Sequence, residues 1–208
     1  KVWTASKIEN GSKLILMQHG GYYGQGASLS EEHNIKISNF YLSWGWNKSD
    51  SKVLPFGSLR KPKSARNYAH NSRILFVLNM NQRYSTGLFD MPLAGQNLDY
   101  LDDQMNFYKS TPKSIRENIH VRLYVHDYKW SVRERWMEMF PNTIFDKKKD
   151  FFKSLYSAKL VVCGWNATSY LESMSANVPT VIFWKKKYFE LNGKAKSFFS
   201  ELEKAKIF

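Results

Sequence analysis

Apolar residues in this chain fall in short runs, and the stretches between them carry apolar positions at helical spacing. The runs are 74–78 (ILFVL), 120–125 (HVRLYV), 142–145, 160–163 (LVVC) and 180–184 (TVIFW). Short runs rich in β-branched residues and bounded by turn signals predict strands covered on both faces. Between the first two, Leu98, Leu101, Met105 and Tyr108 recur every three or four residues, which predicts an amphipathic helix over 95–119. Pro112 restarts that helix, and Ser114 is placed to cap the next turn. A basic helix from Val132 to Met139 follows the second run. Asp150 is expected to cap a helix carrying Phe151, Phe152, Leu155 and Tyr156. The last helix, Lys194 to Lys206, is expected to bury Phe198, Phe199, Leu202 and Ala205. Strand and helix therefore alternate from residue 73 onward, which predicts an α/β fold: a Rossmann-like parallel sheet with helices on both faces.

The unit from Leu160 to Trp184 is the most informative. A buried strand runs into a polar turn at Gly164 and Asn166, then a short helix, then a stop at Asn177 and Pro179, then a second strand. Open parallel sheets place ligands at strand-to-helix turns of this kind, and free N–H groups at a helix start favour an anion such as phosphate. Ser169 and Glu172 also have the spacing of a capping box, in which hydroxyl and carboxylate each bond a backbone N–H. Cys163 reads as core packing.

The beginning of the chain is less regular. A polar, helix-forming stretch precedes a short strand over Lys13 to Met17, which ends in a loop with four glycines among nine residues, 18–26. Gly20, Gly21 and Gly24 point to positive φ or to close approach of another group. His19 opens this loop, with Glu31 and Glu32 a short distance on; a histidine beside a glycine-rich loop and near a carboxylate is a candidate general acid or base. Residues 37–45 (ISNFYLSWG) suggest another strand. Residues 46–72 are loop-rich and basic, with Pro55, Gly57 and Pro62, and suit a linker or crossover between a lead-in segment, 1–45, and the domain 73–208.

Charge adds one thing. The 31 Lys and Arg against 18 Asp and Glu give +13, with short clusters at Arg60 to Lys63, Lys147 to Lys149 and Lys185 to Lys187. This implies an anionic partner: a phosphorylated small molecule, an anionic membrane surface or nucleic acid. No nucleic-acid reading element is recognisable among the motifs, so nucleic acid is not the expected partner. No apolar run approaches the roughly 20 residues that span a bilayer. The start does not resemble a secretory signal, and a single cysteine fits a reducing compartment. No Gly-x-Ser-x-Gly elbow follows a strand, which argues against a serine hydrolase.

Four stretches taken together, QHGGYYG, ISNFYLSWGW, HVRLYVHDYKW and the segment 151–184, resemble in the same order a family of bacterial transferases of surface-polysaccharide biosynthesis. That family is similar to inverting glycosyltransferases of the two-Rossmann-domain (GT-B) architecture, akin to Kdo and capsule transferases. The resemblance implies that residues 73–208 are the nucleotide-sugar-binding half and residues 1–45 the remnant of an acceptor domain in a longer protein. It also implies that Asn166, Thr168 and Ser169 hold the donor's phosphate, that Glu172 reaches a ribose or sugar hydroxyl, and that Arg122 and His126 neutralise the leaving phosphate. His19 with Glu31 or Glu32 would face the acceptor. No cofactor is expected beyond the nucleotide-sugar donor as substrate, and no metal, since Asp102 and Asp103 lie in a helical pattern. The acceptor would be a glycan or a lipid-linked glycan, at the cytoplasmic face of an anionic membrane. Polyol-phosphate transfer on the same architecture, and nucleotide or nucleic-acid binding without turnover, remain open alternatives.

Overall fold

The computed structural model describes residues 1–26, 29–60, 72–84, 92 and 94–208. Pro62 and the later part of the Arg60 to Lys63 cluster lie outside the described residues. The first sheet is small and parallel, in the order β1 (Ile15–Met17), β2 (Phe40–Ser43), β3 (Val53–Pro55). Helix α1 (Val2–Glu9) precedes it and α2 (Leu29–Ile37) joins β1 to β2. Residues 46–60, expected to be part of a linker, instead supply β3: the alternation Val53 in, Leu54 out lets Val53 pack with Tyr41 and Ile35.

The second sheet has five parallel strands in the order β6-β5-β4-β7-β8. These are β4 (Ile74–Val77), β5 (Ile119–Arg122), β6 (Ile144–Phe145), β7 (Leu160–Cys163) and β8 (Thr180–Ile182). Connecting them are α3 (Asn97–Ser110), α4 (Lys113–Arg116), α5 (Val132–Met139), α6 (Phe151–Leu155) and α7 (Thr168–Ser175), and α8 (Gly193–Lys204) follows β8. β4 is central and in register with both neighbours, Phe76 standing beside Val121 and Val162. Alternate residues feed two cores. Leu75, Val77, Val161 and Cys163 pack with Tyr170, Phe199 and Leu202 on one face. Phe76, Val121 and Val162 pack with Met105, Val132 and Trp136 on the other. The doubly wound α/β architecture is therefore present, with helices on both faces.

Some helix faces differ from expectation. Leu98 is exposed, because α3 turns Asn97, Tyr100, Leu101, Gln104, Met105 and Tyr108 inward. Phe198 and Ala205 also point outward; α8 buries Ala195, Phe199 and Leu202 and ends at Lys204. Ser114 does not cap α4, whose cap position is Pro112. Asp150 does cap α6, accepting from the Phe152 N–H. Among the described residues no helix is long and apolar enough to cross a membrane.

The topology also fixes where a crevice opens. From β4 the chain moves to one side through β5 and β6, then returns to the other side for β7 and β8. The loops after β4 and β7 consequently leave in opposite directions at the carboxyl ends of adjacent strands, the place where such sheets bind ligands.

Candidate functional site

A cleft of about 640 Å³ occupies that position. Its floor is the ends of β4 and β5, its walls are the loop 146–149 and the start of α7, and His19, Trp44 and Arg60 close it from the other side.

Helix α7 begins two residues earlier than a capping box at Ser169 requires. Ala167 occupies the cap position, with extended φ and ψ and no side-chain cap bond. Ser169 thus lies inside the first turn, and Glu172 is too far along the helix to reach back to the cap. The capping-box reading is corrected: the Glu172 side chain stands in the cleft, 9% exposed and 3.7 Å from the Arg60 guanidinium. Burial raises its pKa and Arg60 partly offsets this. The first-turn N–H groups of α7 are therefore not occupied by a cap side chain, and Thr168 and Ser169 line the cleft. Thr168 also binds the glycine loop, its hydroxyl accepting from the Gly21 N–H at 3.1 Å. Asn166 is buried beneath the turn, 1% exposed.

The glycine loop is strapped to the second sheet's domain. The Tyr22 hydroxyl donates to the Glu190 carbonyl at 3.0 Å, the Tyr170 hydroxyl to Gln25 Oε1 at 3.0 Å, and Asn192 Nδ2 to the Gly24 carbonyl at 2.8 Å. Gly21 permits the approach: a Cβ there would lie 2.8 Å from the Ala167 carbonyl carbon and oxygen. Gly24 has φ +78° and sits against the Trp46 indole. Gly20 has no such constraint, its nearest neighbour being the Tyr23 ring at ordinary contact distance. Gln18 supports the loop, donating to the Gly20 and Tyr23 carbonyls and accepting from Trp44 N–H and Trp46 Nε1. The result is an exposed His19 beside Tyr23, ring centroids 4.5 Å apart, facing the start of α7 across the cleft.

The two glutamates expected to join His19 are placed elsewhere. Glu31 is buried and holds the loop, accepting from the Gly24 N–H at 2.8 Å and the Tyr41 hydroxyl at 3.1 Å. Burial raises its pKa against the pull of those hydrogen bonds. Glu32 is exposed and 3.9 Å from Lys48.

Arg122 does reach the cleft, yet its guanidinium is already engaged. It donates to Asp146, the Lys148 carbonyl, Ser154 Oγ and the Lys149 carbonyl. Arg73 binds the other oxygen of Asp146, whose side chain is 1% exposed. Burial alone would raise Asp146; hydrogen bonds from Ser154, Arg122 and Arg73 outweigh it and hold the carboxyl below its ordinary pKa. Arg122 therefore fixes the backbone of the loop after β6. Lys148 Nζ ties down the same loop by donating to Ser157 Oγ at 2.6 Å, while Lys147 and Lys149 are exposed and line the cleft. His126 is exposed in a neighbouring hollow, its ring against those of both Tyr124 and Tyr128.

Of the residues expected to form a site, the cleft gathers His19, Arg122, Thr168, Ser169 and Glu172. It adds Arg60, Lys147, Lys149, Trp44 and Tyr124, which sequence reading had not assigned to a site; the 147–149 cluster was visible, but only as surface charge. Among the described residues no group of three or more His, Cys, Asp or Glu is placed to hold a metal ion.

Such a cleft can bind an anion at a helix start, screen its charge with mobile ammonium groups, and present an imidazole to a reacting hydroxyl. Comparison with curated proteins finds no match. A family model described as LIC12162 family transferase matches residues 1–208, the whole chain. The chain therefore belongs to the LIC12162 family of transferases.

Proposed function

We propose that this transferase moves a sugar from a nucleotide-activated donor to a glycan or lipid-linked acceptor, with the donor's phosphates seated at the start of α7. The observation that supports this most is the convergence, at the sheet's switch point, of an eight-residue helix with no side-chain cap and the cations Arg60, Lys147 and Lys149. In sugar transfer the bond between the anomeric carbon and phosphate breaks, and negative charge grows on the departing oxygen. Helix N–H groups and the neighbouring cations stabilise that charge. His19 takes the proton from the attacking hydroxyl, and Glu172 bonds a hydroxyl of the donor. An acceptor carried on lipid would bring the +13 chain to the anionic inner face of a membrane.

Thermal denaturation at moderate salt with CMP, CDP, UDP, GDP and ADP tests the reading. A ligand that binds only the folded state stabilises it by about 2.7 kcal/mol at a hundredfold excess over Kd. The expected result is a selective rise in Tm with one nucleotide, reduced in the double variant Lys147→Ala/Lys149→Ala. No shift with any of them, beside steeply salt-dependent binding of nucleic acid, contradicts it.

A further inference from the structure

The loop after β5, residues 123–131, holds four aromatic rings, Tyr124, His126, Tyr128 and Trp130, in a conformation the backbone resists. Tyr128, Lys129 and Ser131 have φ of 53°, 66° and 51°, all left-handed and none glycine. Left-handed non-glycine residues are disfavoured, and where they cluster the surroundings must enforce them; such strain concentrates at functional sites. Here the enforcement is visible. Asp127 accepts from the Ser131 and Val132 N–H groups at 2.8 and 2.7 Å. Trp130 is buried, and its indole N–H donates to the Asn81 carbonyl at 2.9 Å.

These anchors face inward and leave Tyr124 and His126 on the outside, with Tyr128 half-buried against the core beneath them. Tyr124 and Tyr128 lie nearly parallel, 6.0 Å between centroids and 25° between planes, with His126 against both. Tyr124 is 42% exposed. It is also in the wall shared by the main cleft and the adjoining hollow of about 410 Å³ between the ends of β4 and β5 and the start of α5. A large ring left half-exposed at the wall of the cleft, with other rings packed beside it, offers a stacking face.

We propose that Tyr124, braced by Tyr128 and His126, is the stacking surface for the base of the nucleotide whose phosphates occupy the α7 end of the same cleft. This rests on the reading of the cleft as a nucleotide-sugar site. It places the base over the adjoining hollow and makes His126 a support for the ring rather than a partner of the phosphate.

Calorimetric titration of the whole chain with pyrophosphate, and separately with UDP, CDP, GDP and ADP, tests it in the wild type, Tyr124→Ala and Tyr124→Trp. Base stacking on an aromatic side chain strengthens binding by about tenfold or more. At least one nucleotide should therefore bind about tenfold tighter than pyrophosphate. Tyr124→Ala should erase that advantage while leaving pyrophosphate affinity unchanged, and Tyr124→Trp should restore it. Equal affinity of pyrophosphate and every nucleotide for the wild type overturns the stacking role, as does an advantage that survives Tyr124→Ala. An equal loss of both ligands in Tyr124→Ala also counts against it, since it shows a disturbed cleft. Binding of neither ligand to the wild type removes the nucleotide-sugar reading itself.

Discussion

Adding one methyl group at Gly21 would test whether the glycine loop is seated on α7 as described. A Cβ there would lie 2.8 Å from the Ala167 carbonyl carbon and oxygen and 2.9 Å from Thr168 Cα, all backbone atoms that no rotamer change can move aside. Unstrained carbon contacts lie at about 3.5–4.0 Å, so loop and helix must separate by roughly 0.7–1 Å. Overpacking of this kind costs about 1–3 kcal/mol. The separation also weakens the hydrogen bond from Gly21 N–H to Thr168 Oγ1, about 0.5–1.5 kcal/mol. Opposing these, alanine narrows the unfolded ensemble and returns about 0.4–1 kcal/mol. Gly21→Ala should then lose about 2 kcal/mol net, a fall in Tm of about 4–8 °C for a chain of this size. Urea denaturation and a thermal scan measure both. Gly193→Ala, where a Cβ meets nothing within 4 Å, is the control and should stay within about 0.5 kcal/mol of wild type. A Gly21→Ala protein as stable as that control would refute the close approach.

Three further outcomes follow from the charged and buried groups. Asp146→Asn leaves Arg73 and Arg122 without their carboxylate and should cost about 3 kcal/mol at pH 7 by urea denaturation. Because the folded pKa of Asp146 lies below its ordinary value, the wild type's advantage holds above about pH 4 and is lost as pH falls through the depressed pKa. Glu172→Gln has the opposite sign: the pKa of Glu172 is raised by burial, so its ionised form opposes folding. The glutamine variant should be more stable at pH 7, and the difference should vanish below about pH 4. Cys163 is buried and its thiol is pushed up to about 12, so a thiol reagent should modify it in the native protein only as fast as the protein unfolds. Rapid labelling of the native protein would contradict that.

Local patterning carried most of the fold. The runs at 74–78 and 160–163 stand out because β4 and β7 are covered on both faces, and Asp150 could be read because its cap bond is local. β3 was missed: with one buried residue, Val53, it has no run to see and exists only through pairing with β2. The candidate site was legible where local geometry decides it, at the start of α7 and in the glycine loop. It was not legible where a partner distant in sequence decides a side chain's role. Arg122 depends on Asp146, 24 residues on; Glu31 on Gly24 and Tyr41; Glu172 on Arg60. The capping-box spacing of Ser169 and Glu172 misled for a narrower reason. The helix starts at Thr168, and the motif works only if Ser169 is the cap.

The most direct test of the account is amide hydrogen exchange across residues 164–175, without ligand and with the nucleotide that raises Tm most. Phosphates seated at the start of α7 should slow exchange at the Thr168 and Ser169 N–H groups, with matching protection in the 147–149 loop. A nucleotide that binds yet leaves those amides unchanged would place its phosphates elsewhere and contradict the account.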